Sequence, residues 1–355
     1  MLLALQPWPA WAQAGWYYLP TLRLTEEFDD NVFSSVRRSS DFITRLTSDV
    51  KVGYRSTPFT LLLTGSADGE VFARNPELDG VNRTQSGLET EWRPVQPLTL
   101  RLGASFTKTQ TPSELSPNLG LELGRQESTQ LIVTPALLYR FDARTTGDAV
   151  YTYSQSDSGD VTTTTHEPRL RLSSRLTRLD AGSVLYGFRA IESGNSSSMS
   201  HLAMLGWSRH LSSTTDLALE AGPRFSDSTV DAEVSAVLTR RIDGTTNATL
   251  SYTRTSTPIV GQSGTARAQA LTGRILLEPV RSLRVVAGAI VSEVSADTGD
   301  TRSQGAEVSA SYRVLRWMNA FARYRFNRSS SRGTEVFHNV ISIGVEAVYP
   351  TRLDD

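Results

Sequence analysis

Leu98-Thr99-Leu100-Arg101-Leu102-Gly103-Ala104-Ser105-Phe106 alternates without a break: its even positions are apolar, its odd positions polar, charged or small. Alternate side chains of a strand point to opposite faces, so this stretch has one fatty face and one wet face. Phe59-Thr60-Leu61-Leu62-Leu63-Thr64 and Met318-Asn319-Ala320-Phe321-Ala322-Arg323-Tyr324-Arg325-Phe326 carry the same alternation, less strictly. A soluble sandwich also alternates, but here short turns and longer polar loops take turns along nearly the whole chain. That rhythm predicts an all-β, up-and-down, antiparallel transmembrane barrel.

The composition agrees. The chain has 355 residues, no cysteine and a formal net charge of −1, and its mean hydropathy is negative. No run approaches the ~20 apolar residues of a membrane helix. A barrel interleaves lipid-facing with lumen-facing residues, which lowers the average. No linker or shift in composition divides the chain, so residues 15–355 read as one barrel domain. Residues 1–14 read as a truncated secretion signal: Leu2-Leu3-Ala4-Leu5 is apolar and Ala12-Gln13-Ala14 fits small-x-small cleavage before Gly15. No Lys or Arg precedes Arg23, so the start of that signal is expected upstream of Met1.

Short turns rich in Pro, Asp, Gly and Ser fall at 55–58, 94–97, 142–144, 177–180, 211–213, 242–244, 280–282 and 316–317. Eight turns join sixteen strands in pairs, and one strand remains at each end, which predicts 18. Both termini then lie on the periplasmic side. The nine connections on the other side are expected to be long extracellular loops, among them 29–40, 74–80, 110–126, 193–197, 256–265, 296–301 and 329–332. The longest, 110–126, is read first as a surface loop. Its alternative is an inward fold that constricts the lumen through Glu114, Asn118, Glu122 and Arg125. Trp16, Tyr17, Tyr18, Tyr54, Trp92, Tyr139, Phe141 and Tyr349 stand where a periplasmic aromatic girdle is needed.

With the apolar face toward lipid, the other face lines the lumen. An Arg facing lipid at the midplane costs ~2–4 kcal/mol, which fixes the orientation of most strands. Only Met199–Trp207 has two mixed faces. The expected lumen and translocation residues are Arg45, Lys51, Arg101, Arg169, Arg171, Arg175, Arg189, Arg224, Arg284, Arg313, Arg323 and Arg325. Eighteen strands enclose more than side chains fill, so a hydrated channel is expected. The guanidinium fork holds carboxylates and phosphates, so an Arg-rich wall suits an anionic polymer. Alternatively each Arg pairs with a lumen carboxylate and leaves little net field.

No catalytic signature emerges, and no enzyme, cofactor or nucleic-acid partner is expected. His166, His201, His210 and His338 are scattered over separate strands, without metal-ligand spacing or a Gly-x-Ser-x-Gly elbow. Glu27, Asp29, Asp30 and Asn31 lack the spacing and glycine of a calcium loop, so they read as a solvated loop and no metal is expected.

The opening Thr21-Leu22-Arg23-Leu24-Thr25-Glu26-Glu27-Phe28-Asp29-Asp30-Asn31-Val32-Phe33 resembles the start of the β-barrel porin 2 group of outer-membrane proteins, where a first strand runs into a y-DN-v/f segment. The hairpin pattern after Gly15 resembles that group over the rest of the chain. The last strand, Phe337–Tyr349, is similar to the C-terminal strand recognised by barrel-assembly machinery, although Pro350–Asp355 extends past its aromatic. The resemblance implies a bacterial outer-membrane location, contact with outer-membrane lipid, and an exit conduit for an exopolysaccharide served by periplasmic export proteins. The alternatives are a general diffusion porin for small solutes, and a closed barrel acting as a platform or adhesin.

Overall fold

Alternation of Val, Ile, Leu, Tyr and Thr with polar residues favours a pleated, half-buried surface. The computed structural model describes residues 15–116, 123–194, 196–226, 229–259, 261, 264–296, 299–349 and 351–352. They form β1 (Gly15–Asp29), β2 (Asp41–Arg55), β3 (Phe59–Phe72), β4 (Gly80–Val95), β5 (Leu98–Thr109), β6 (Ser128–Arg140), β7 (Thr145–Ser158), β8 (Val161–Arg175) and β9 (Asp180–Ser193). The second half comprises β10 (Ser196–Ser212), β11 (Thr215–Ser226), β12 (Thr229–Arg241), β13 (Thr246–Pro258), β14 (Thr265–Val280), β15 (Leu283–Ala296), β16 (Gly299–Leu315), β17 (Met318–Ser331) and β18 (Thr334–Val348). Each strand pairs antiparallel with the next, and β18 returns to β1 in register from Thr21↔Val348 to Asp29↔Val340. Closure leaves no unpaired sheet edge, as a membrane demands. A two-residue β19 (Thr351–Arg352) adds to β1 at Tyr17 and Tyr18.

Residues directly opposite one another share a face, so the register sorts the wall. Leu24, Leu46, Leu63, Leu100, Leu137, Leu170, Val184 and Leu205 face outward with their ladder partners; Arg45, Arg101, Arg169 and Arg171 face inward. The outer face is a continuous apolar band of exposed Leu, Val, Ile, Phe and Tyr. This closed barrel with a fatty exterior is a bacterial outer-membrane protein. By the geometry of that class, the end bearing the termini and short turns is periplasmic and the opposite end extracellular.

All eight expected turns lie between the expected strands. Side chains fix several of them: Asp142 Oδ1 accepts from the amides of Arg144 (2.6 Å) and Thr145 (2.8 Å), and Asp243 Oδ1 from that of Thr245 (2.7 Å). These amide donors hold both carboxyls below the usual carboxylate range. A depressed folded value means the contribution is present above the unfolded pKa and lost as pH falls through the folded one. The protection factors of the amides at residues 142–146 and 243–246, corrected for the intrinsic pH dependence of exchange, are therefore expected to fall below about pH 4, the ordinary Asp value.

The structure departs from four expectations. Only the connections at 30–40, 73–79, 110–127 and 259–264 are long; the other five span two residues each. Gly159, Gly194 and Gly333 turn there with positive φ (58°, 56° and 77°), which glycine adopts without penalty. Met199–Trp207 is oriented with Met199, Leu205 and Trp207 outward, while Leu202 and Met204 pack inward with Leu185. Its faces look mixed because both are apolar. Tyr17 leaves the expected girdle: its ring covers Gly53, where a Cβ would collide with it.

The fourth concerns Asp29-Asp30-Asn31, which is a lock and not a solvated loop. Asn31 has no exposed surface; its Nδ2 donates to the carbonyls of Ser35 (2.8 Å) and Phe337 (2.9 Å), and its Oδ1 accepts from Ser35 N (3.1 Å). Asp29 accepts from Asn31 N (2.7 Å) and meets His338 Nε2 at 2.8 Å. Asp30 accepts from the backbone and side chain of Asn339. The segment thus sews the first strand to the last. Asn31→Ala is expected to cost about 1–3 kcal/mol for each buried group it strands, measured as a lowered urea midpoint of the refolded barrel.

Candidate lumen and constriction

Two polar clusters organise the inner wall near the extracellular end. The first centres on Arg45 of β2, whose Nη2 donates to Glu27 (3.2 Å) and whose Nε donates to Glu70 (2.8 Å). Glu70 also accepts from Asn82 (2.7 Å), and Ser342 of β18 donates to Glu27 (2.8 Å). This cluster stitches β18, β1, β2, β3 and β4 together across the closing seam.

The second cluster draws non-neighbouring strands together. Arg224 of β11 is 1% exposed; it pairs with Glu233 of β12 and donates to Ser200 of β10 (2.8 Å). Arg189 of β9 donates to Glu167 of β8 (2.9 Å) and to the carbonyl of Ser256 on β13. Glu233 also accepts from Ser256 N (3.3 Å) and Thr255 Oγ1 (3.1 Å). The β12–β13 ladder runs only from Val234↔Arg254 to Arg241↔Asn247. Above it, side chains replace backbone pairing and bring the end of β13 over the lumen toward β9. Arg189 and Arg224, expected as hydrated lumen residues, are therefore sequestered. Three guanidinium groups, those of Arg169, Arg189 and Arg224, surround the carboxylates of Glu167 and Glu233 here, and the fixed partners offset the cost of taking these charges out of water.

The connection at 110–127 reaches into this space. Glu114 lies on the inner wall, accepting from Thr109 (3.0 Å) with Arg83 3.6 Å away. Arg125 stacks over the Phe72 ring (5.1 Å to its centroid), 3.7 Å from Glu70. Leu123 packs against buried Ile259, Ala266, Ala268 and Val294, on β14, β15 and the β13–β14 connection. It begins between β5 and β6 and so touches the far side of an 18-stranded ring. Gly261 lies close enough to β7 that a Cβ there would be 3.2 Å from Ser158 Oγ. Two connections thus meet across the extracellular half of the barrel. Asn118 and Glu122 lie outside the described residues.

Toward the periplasmic end the wall is charged and less tied. Arg101 pairs with Glu91 (2.7 Å), Arg171 with Glu220 (2.7 Å), Arg284 with Glu278 (3.2 Å) and Arg323 with Glu307 (3.6 Å). Lys51 shares the inner face of β2 with Asp49. Arg175, Arg274, Arg313 and Arg325 make no ion pair among the described residues. The sector β14–β17 turns Arg274, Arg284, Arg313, Arg323 and Arg325 inward against Glu278 and Glu307. The expected pairing of Arg with lumen carboxylates holds over much of the wall, and this sector retains a basic surplus.

Leu123 and Ile259 were not among the sequence candidates. Their signal was available: 119–123 reads Leu-Gly-Leu-Glu-Leu and Ile259-Val260 follows Pro258, apolar residues in otherwise polar connections. The histidines belong to the wall. His166 and His201 bond outward tyrosines, His210 pairs with Asp216, and His338 with Asp29. No group of three His, Asp or Glu among the described residues is placed to hold a metal.

Among solved structures, the chain is similar to OccK7 (OpdD) of Pseudomonas aeruginosa, at 14% identity and TM-score 0.52 over 94% of this chain and 99% of that one. OpdO of the same organism aligns at 13% identity and TM-score 0.52 over 96% and 98%. OpdK, solved with vanillate, aligns at 13% identity and TM-score 0.51 over 94% and 99%. These likenesses carry the fold. No protein-family model matches the sequence, and no curated protein aligns with it significantly. The likeness of residues 21–33 to the β-barrel porin 2 group thus extends to an outer-membrane barrel and no further.

Proposed function

We propose that the chain is a passive diffusion channel for small polar solutes, with a preference for anions, narrowed by its own inward connections. The observation that carries this reading is Leu123 seated on Ile259, Ala268 and Val294, on the far side of the ring from where its connection begins. A bore crossed in this way suits solutes of a few rings, whereas an extruded polymer needs continuous clearance. Arg125 and Glu114 would form the polar rim of the constriction, and Asn118 and Glu122 belong to the same connection. Below it, Arg175, Arg313, Arg323 and Arg325 with Arg274 supply a positive potential that raises the local anion concentration. The paired residues Arg45, Arg101, Arg169, Arg171, Arg189, Arg224 and Arg284 hold the wall in shape, with Lys51 beside them. Structures of this fold have been solved with vanillate and with glucuronate, the latter on OccK2 (OpdF) of Pseudomonas aeruginosa. Both ligands are small carboxylates, which supports the size class and the charge sign.

The exopolysaccharide exit implied by the family resemblance rests on that resemblance alone. Liposome swelling separates the two readings. Vesicles bearing the purified barrel are expected to swell in monosaccharides and small carboxylates and to resist long oligosaccharides. Entry of long oligosaccharides at comparable rates would restore the polymer conduit, its outer-membrane lipid and periplasmic export partners included.

A further inference from the structure

Four hairpins carry one device on their outer face. Tyr151 meets His166 Nδ1 (2.7 Å), Tyr186 meets His201 Nδ1 (2.8 Å), Tyr324 donates to Asn339 (2.9 Å) and Tyr252 to Gln269 (3.5 Å). Each tyrosine is six residues past the first residue of its ascending strand, Thr145, Asp180, Met318 and Thr246. The four therefore stand at one height, where an aromatic body meets lipid and a polar tip meets headgroups. They mark the outer boundary of the hydrocarbon.

Directly above that boundary, one sector is built unlike the others. Phe337 of β18 faces outward two residues above Asn339 and opposite Arg328 of β17. Two guanidinium groups converge on its ring: Arg38, from the β1–β2 connection, at 5.2 Å from the centroid, and Arg328 at 5.4 Å. Arg302 of β16 lies opposite Ser330, diagonal to Arg328 on the same face, and its side chain is 76% exposed. Cation–π contact holds two like charges on one ring, although each has a carboxylate near: Asp30 for Arg38, Glu335 for Arg328 and Glu293 for Arg302. Exposed pairs of this kind are worth about 0–1 kcal/mol, so the guanidinium groups remain available to a stronger anion.

We propose that Arg38, Arg302 and Arg328, arranged around Phe337, form a binding site for the phosphorylated glycolipid headgroup of the outer leaflet. Three planar forks at headgroup height on a lipid-facing wall meet phosphate where bulk water is depleted, and bidentate geometry favours phosphate there. The interleaved carboxylates match the divalent cations that accompany such headgroups. The site needs only the membrane placement of the barrel and is independent of what crosses the lumen.

The test uses full-length barrel in detergent and fluorescent bis-phosphorylated lipid A as the probe. The triple variant Arg38→Gln, Arg302→Gln, Arg328→Gln is expected to bind about tenfold more weakly, a loss of roughly 1.4 kcal/mol, with unchanged folded-state gel mobility and conductance. Removing the same charge at the periplasmic turns (Arg144→Gln, Arg178→Gln, Arg281→Gln) is expected to leave binding intact, and a dephosphorylated probe to bind weakly to every form. Wild-type affinity in the first variant, equal loss in the second, or indifference to the phosphates would each overturn the site. If the triple variant does not fold, Arg302→Gln alone serves: its side chain is largely exposed, and unaltered binding again refutes the proposal.

Discussion

Arg224→Leu is expected to destabilise the folded barrel by about 3–5 kcal/mol, the cost of stranding a buried partner charge. Arg224 is almost wholly buried, and its removal leaves Glu233 with neutral donors only. The loss also loosens the tie through which Arg189 and Glu233 hold the end of β13 over the lumen. Urea titration of the refolded protein, followed by tryptophan fluorescence, reads the change. The double variant Arg224→Met, Glu233→Leu removes both charges and is expected to recover much of the loss, because a buried ion pair and a packed apolar pair are similar in net worth. A double-mutant cycle with little coupling would show that the network is ornamental.

Excising 112–125 and bridging the ends with a short Gly-Ser turn is expected to raise single-channel conductance several-fold while the barrel stays folded. The β5–β6 ladder below the connection, from Leu98↔Tyr139 to Thr109↔Ser128, is untouched by the excision. A gentler form is Leu123→Asp with Ile259→Asp. Burying either carboxylate without a partner is costly, so both connections are expected to leave the lumen and widen the path. The same variants are expected to admit larger sugars in liposome swelling. Unchanged conductance in the excised form would mean that the narrowest point lies lower, among the arginines of β14–β17.

Much of this architecture is legible in the sequence, for a physical reason. Strand alternation and turn chemistry are local, so Leu98–Phe106 announces its two faces and Asp142 or Asp243 announces its turn. Inward arginines are legible because lipid forbids the other face. Partners across the lumen are not local. Nothing around Arg189 indicates that it reaches Ser256, four strands away, and nothing around Asp29 points to His338. Loop length is not legible, because Ser, Asn and Gly serve equally in a long loop and in a two-residue turn; Gly194 and Gly333 sit in tight hairpins. The inward connection is hard to read because it is polar as a whole, while Leu123 packs against the far wall.

An open but narrowed aqueous path is tested most directly by single-channel recording of the purified wild-type protein in planar bilayers. Stable, small conductance steps with a reversal potential on the anion-selective side, reduced by added glucuronate, are the expected result. Silence from protein shown to be folded, or large steps indifferent to charge, would contradict it.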